Sequence, residues 1–116
     1  MVALALGQSE SSIAMLSASE RALPDDYNPP ARLALAFKAA KRYDDALEAS
    51  ARALRKVYGP RRLLVLRQRA EILIEKGDRG AARTVLDQAL AQADALPAAQ
   101  RSERAVAAIR QLRAGL

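Results

Sequence analysis

Ala34, Ala46 and Ala53 are spaced twelve and then seven residues apart, and Ala70, Ala82 and Ala89 repeat both intervals. Each trio lies in a run whose apolar residues recur at i, i+3, i+4 and i+7, the stripe of a 3.6-residue helix. Few local structures satisfy a trio of fixed length on helical stripes. The first alanine falls on one helix and the other two fall two turns apart on a second. Small side chains let the two backbones approach closely where leucine would hold them apart. The repeated unit is a tight antiparallel helix hairpin, present twice.

The first hairpin occupies residues 31–60. Leu33, Ala36, Phe37 and Ala40 form its opening stripe, behind Pro29 and Pro30. Prolines cost nothing in a first helical turn and break whatever helix precedes. Phe37 is the bulky residue expected at the crossing. The pattern restarts at Ala46 and runs through Ser50, Ala53, Leu54 and Val57. Asp44 and Asp45 near the start, with Arg55 and Lys56 near the end, suit the macrodipole of this second helix. Gly59 and Pro60 close it. The second hairpin follows with Leu63, Leu66, Ala70 and Leu73, stops at Lys76 and Gly77, and resumes behind Asp78, a cap for the stripe Ala82, Val85, Leu86, Ala89, Leu90 and Ala93.

Ahead of the hairpins, a helix is expected over residues 11–23, with serines as N-caps and Pro24 as the stop. Shifted by 31 positions it overlays the second helix of the first hairpin: Leu16, Ala18, Ser19, Arg21, Ala22 and Leu23 match Leu47, Ala49, Ser50, Arg52, Ala53 and Leu54. Residues 2–6 are a short apolar run closed by Gly7, read as the tail of a helix or a stub. Behind the hairpins, Pro97 ends one helix and opens another over residues 98–113, with Ala105, Val106, Ile109 and Leu112 on one face and arginines largely off it. The interval from Ala22 to Ala34 is 12 residues, but Ala53 to Ala70 is 17. The surplus predicts an extended helix before Tyr58, Gly59 and Pro60. With 116 residues, 3% aromatics and no segment of period two, the class is all-α and the length suits one domain.

The residues Ala34, Phe37, Tyr43, Ala46 and Ala53 resemble the signature of the tetratricopeptide repeat: a small residue, an aromatic one turn later, a turn, then two alanines seven apart. The family's tryptophan slot falls on Pro30, the glycine of its inter-helix turn on Lys41, and a leucine slot on Arg69. Either the Arg69 stem snorkels or the register slips there. The resemblance implies a short right-handed solenoid of stacked hairpins over residues 1–116. It comprises a partial repeat at 1–24, repeats at 29–59 and 60–96, and a capping helix at 97–116. Proteins of that family bind peptides or partner proteins along a concave groove lined by the first helix of each hairpin. The matching positions here are Asn28, Leu35 and Lys38, then Arg67, Glu71 and Ile74. Glu71 stands where the family's chaperone-tail clamp needs asparagine, which argues against that specialised role. The stretches ALPDDYNPPARLALAF and VYGPRR also resemble the repeat region behind a thioredoxin-like fold in some bacterial proteins, so an accessory C-terminal domain that docks or dimerises is the alternative expectation.

Charge adds one candidate. Net charge is +6, and no acidic residue interrupts Glu48 to Glu71, where Arg52, Arg55, Lys56, Arg61, Arg62, Arg67 and Arg69 accumulate. Such a cluster suits an acidic peptide or another anionic surface, but the favoured expectation is a solvated face that also neutralises a helix C-terminus. Nucleic acid is disfavoured, because interleaved aromatics for base stacking are missing. With no histidine and no cysteine, there is no disulfide, zinc-thiolate site or imidazole base. Ser9, Ser11 and Ser12 read as helix caps, and the pairs Asp25–Asp26 and Asp44–Asp45 sit at turns. A non-enzyme without a cofactor is expected. No segment is apolar enough to span a membrane, and residues 1–8 do not read as a signal peptide. Location stays open: cytoplasmic by default, periplasmic within a longer secreted parent. Ile13, Leu16 and Leu23 lack the partner that would complete their hairpin, so weak homodimerisation through this N-terminal helix is a further expectation.

Overall fold

A computed structural model describes residues 2–116, with side chains from residue 10 onward. Six α-helices make up most of it: α1 Val2–Ala22, α2 Asn28–Ala39, α3 Tyr43–Lys56, α4 Arg61–Lys76, α5 Arg79–Ala95 and α6 Glu103–Ala114. No strand occurs among the described residues. The chain divides into two compact units, Met1–Val57 and Tyr58–Leu116. In the first, α2 packs against both α1 and α3; in the second, α5 packs against α4 and α6, and α4 also meets α6.

The repeated alanines lie at the centre of these packings. Ala34, Ala46 and Ala53 in the first unit and Ala70, Ala82 and Ala89 in the second are each 2% exposed or less. Around them the first unit buries Pro30, Leu33, Ala49 and Ser50, and the second buries Leu63, Leu66, Leu86, Val106 and Ile109. Phe37 is not the centre of the crossing. It is half-buried at the edge, with the Arg42 guanidinium 4.8 Å from its ring centroid, and Leu33 at 1% exposure takes the central place. On α4, Val65 and Ile72 are buried beside the expected stripe, so this helix is covered on two adjoining faces. The register holds at Arg69: Leu66, Ala70 and Leu73 are all buried, while Arg69 is half-buried and burial pushes its guanidinium pKa down.

The two hairpin turns have the same backbone. Arg42 N–H donates to Phe37 C=O at 2.8 Å and Lys41 N–H to Lys38 C=O at 2.9 Å; Asp78 N–H donates to Leu73 C=O at 2.8 Å and Gly77 N–H to Ile74 C=O at 3.0 Å. Both are Schellman closures, which require one left-handed residue. That residue is Gly77 in one turn, with φ +98°, and Lys41 in the other, with φ +61°. A lysine there carries a steric cost between Cβ and the carbonyl that glycine avoids. Lys41→Gly is therefore expected to raise stability by about 0.5–1 kcal/mol after the extra freedom of the unfolded glycine is counted. Gly77→Lys should lower it by about 1 kcal/mol, through backbone strain alone, since a Cβ at Gly77 would meet nothing within 4 Å. Urea midpoints of the two variants moving in the same direction would refute the equivalence of the turns.

The five surplus residues between the hairpins are mostly helical. Relative to α1 and Ala22, α3 runs three residues further past Ala53; relative to α2 and Ala34, α4 starts three residues earlier before Ala70. The third helix is thus extended, as expected, but only to Lys56, and the fourth shares the gain. Val57 turns extended, and Gly59 at φ +68° redirects the chain into Pro60, the N-cap of α4.

The two ends of the chain depart from expectation. Helix α1 is continuous from Val2 through Gly7 to Ala22, so Ser9, Ser11 and Ser12 lie within it and not at its start. One glycine costs a helix about 1 kcal/mol, less than strong helix formers on either side can offset. At the other end, residues 98–100 form a single 3-10 turn and α6 begins only at Glu103. Ser102 is its N-cap, with Oγ accepting from Ala105 N–H at 3.2 Å. Asp78 caps α5 as expected, accepting from Ala81 N–H at 3.1 Å.

Candidate binding cleft

Within the second unit, α4 and α6 diverge enough to leave a cleft of about 430 Å³ that opens to solvent. One wall is Arg67, Glu71 and Ile74, spaced i, i+4 and i+7 along α4, with Arg79 at the mouth. The facing wall comes from Ala108, Gln111 and Leu112 of α6, and the segment after it contributes Gly115 and Leu116. Arg67 leans along its own helix, with Nε 3.4 Å from Glu71 Oε1. That nitrogen is shielded from water and makes no hydrogen bond. The cleft therefore combines an apolar floor of Ile74, Ala108 and Leu112 with a guanidinium and a carboxylate at one edge.

Arginine chemistry holds the far wall in place. Helix C-termini leave carbonyls without partners, and here guanidinium forks supply the donors. Arg79 donates to Gly115 C=O at 2.9 Å and Arg83 to Leu116 C=O at 3.1 Å. At the end of α5, Arg101 donates to Ala93, Asp94 and Leu96 carbonyls at 3.0, 2.9 and 3.1 Å. Arg113 bonds Asp87 at 2.9 Å, tying α6 to α5.

Of the eight residues singled out in the sequence, Arg67, Glu71 and Ile74 come together in this cleft. Arg61 is exposed at the start of α4, and Arg62 donates from Nε to Gln92 Oε1 at 2.9 Å. Asn28 and Leu35 are exposed on α2 in the other unit, and Lys38 is half-buried there. Asn28 serves its own helix start, donating to Asp26 Oδ1 from both its backbone N–H (2.9 Å) and its side-chain amide (3.1 Å). The α6 wall escaped the sequence reading because it depends on where a later helix packs.

The basic run is largely engaged in internal contacts. Arg52 grips Glu20 of α1 through Nε and Nη2 at 2.8 and 3.1 Å, and Lys56 approaches the same carboxylate at 3.6 Å. Glu10 and Arg42 meet at 3.7 Å. Both pairs are separated by 32 residues, which sets α1 and α3 parallel. The hydrogen bond from Arg52 holds the Glu20 carboxyl below its ordinary value, against the opposing effect of burial. With side chains 16% and 29% exposed, this pair is better shielded from solvent than an ordinary surface bridge. Glu20→Gln should cost about 1–2 kcal/mol at neutral pH. Because the folded-state pKa is lowered, that contribution is complete above the unfolded carboxyl value, roughly 4.3, and is lost as pH falls through the folded one. Thermal melts of parent and variant should converge below that pH; a gap constant from pH 7 to 3 would rule the ion pair out as its source.

The chain matches no family model, no curated protein and no solved structure. Among the described residues no helix is long and apolar enough to cross a membrane.

Proposed function

We propose that the chain is a protein-interaction module of the tetratricopeptide type, binding an extended peptide with acidic and apolar side chains in the cleft between α4 and α6. The observation that carries this reading is the coincidence at Arg67, Glu71 and Ile74: positions that the repeat assigns to a ligand line an open cleft. In such a solenoid α6 stands where the first helix of a third hairpin would, so the cleft is the groove between successive inner helices. Supporting it, the hairpins share turn geometry as well as alanine spacing. The ligand chemistry follows from the lining. Apolar side chains cover Ile74 and Leu112, and a carboxylate meets the Arg67 guanidinium in a charge-assisted bond. The module binds and does not transform; its sequence has neither histidine nor cysteine.

Fluorescence anisotropy with labelled peptides alternating leucine with glutamate tests it. Arg67→Glu and Ile74→Asp should each weaken binding at least about tenfold, a loss of 1.4 kcal/mol or more, with the helical circular dichroism unchanged. Arg110→Glu is the charge control, on an exposed part of α6 that does not line the cleft. Equal losses in Arg67→Glu and Arg110→Glu would reduce the effect to net charge and remove the cleft as the site.

A further inference from the structure

Leu64, 43% exposed on α4, stands in line with the cleft without lining it. Counting from this leucine, Arg67, Glu71 and Ile74 follow at i+3, i+7 and i+10, the spacing that keeps side chains on one side of a helix. The buried residues Val65, Leu66, Ala70, Ile72 and Leu73 take up the rest of the circumference. A single exposed leucine is ordinary on a protein surface. This one extends the ligand-facing ladder by a turn, and a cation lies between it and the next apolar side chain.

The distances along that ladder select a ligand. Leu64 and Ile74 are ten residues apart on α4, about 15 Å at the rise of a helix. Arg67 starts about 4.5 Å from the level of Leu64, but its side chain leans towards Glu71, with Nε 3.4 Å from Oε1, which carries the guanidinium towards the midpoint. The face reads apolar, cationic, apolar at steps of roughly 7 Å. An extended peptide presents the same face every second residue, at steps of about 6.6–6.8 Å. Its residues i, i+2 and i+4 therefore arrive opposite Leu64, the Arg67 guanidinium and Ile74 in turn, in register to about 2 Å over the whole length. Resting on the cleft reading proposed above, we infer that the chain selects an extended peptide with apolar side chains at i and i+4 and a carboxylate at i+2. Ile74 and Leu112 hold one apolar side chain in the cleft, Arg67 pairs with the carboxylate, and Leu64 supplies the second apolar subsite that fixes the spacing. The pattern is the same from either end, so it sets the spacing of the ligand and leaves its direction free.

Fluorescence anisotropy with three labelled peptides of one composition, Leu-Ser-Glu-Ser-Leu, Leu-Glu-Ser-Ser-Leu and Leu-Leu-Ser-Glu-Ser, reads that spacing. The first should bind at least about fivefold more tightly than the other two, the discrimination expected of one additional apolar subsite. Leu64→Ser should abolish the preference, with helical circular dichroism unchanged because Leu64 is exposed. Ser-Ser-Glu-Ser-Leu, whose one leucine goes to the deeper cleft, should bind the parent and Leu64→Ser alike. Equal affinities for the three arrangements, or a preference indifferent to Leu64→Ser, overturns the spacing rule; if Arg67→Glu and Ile74→Asp still weaken binding, the cleft remains the site. Failure of every peptide to bind the parent overturns the cleft reading and the rule with it.

Discussion

Leu33→Ala should destabilise the chain by about 3–5 kcal/mol, the largest loss expected from a single truncation in the first unit. Leu33 is 1% exposed on α2, the helix that packs against both α1 and α3, so its side chain is covered from two directions. Removing it forfeits the transfer energy of three carbons and leaves a cavity between helices whose approach is already fixed by alanines. Little collapse can follow, because Ala34, Ala46 and Ala53 have no side chain to extend into the gap. Phe37→Ala supplies the contrast. That ring is half-buried and lies under Arg42, and its loss should cost about 1–2 kcal/mol. Urea unfolding of the two variants orders them; a larger loss at Phe37 would return the ring to the centre of the crossing.

Enlarging an alanine should be nearly as damaging. Ala46→Leu is expected to cost about 1–3 kcal/mol, since Ala46 has no exposed surface and sits where α3 meets α2. A leucine there must either adopt a strained rotamer or drive the two backbones apart. Ala91→Leu, on the exposed side of α5, should stay within about 0.5 kcal/mol of the parent. If Ala46→Leu were as mild, close backbone approach could not be the reason for the repeated spacing.

That spacing made the hairpins legible because it is local. Ala34, Ala46 and Ala53 report one helix crossing within twenty residues, and a turn between them had to fall near Lys41. Asp78 was legible as a cap for the same reason, lying immediately ahead of its helix. Contacts carried by long side chains across elements were not legible. Glu20 could not be assigned to Arg52 from the sequence, since the acid and base are 32 residues apart and many other arginines compete. Arg101 read as part of a charged helical face, whereas it closes the end of α5. Gly7 read as a stop because its local cost was weighed without the helix formers around it. Half of the candidate cleft was visible as the exposed ladder of α4. The other half required knowing that α6 packs back toward that helix.

In each unit the closely packed backbones are mostly neighbours along the chain; α4 meets α6 across α5, and α1 meets α3 through ion pairs of long side chains. A docking event between neighbours closes a loop of only a few residues, so little chain entropy is lost before contacts reward it. Helical chains wired this way fold in microseconds to milliseconds. The slow element is then the backbone of a turn rather than a search for distant partners. In the first unit that turn must bring a lysine, Lys41, into a conformation that Gly77 enters without penalty in the second. The two hairpins, alike once formed, should differ in how fast they close, and the glycine-turned one should close first.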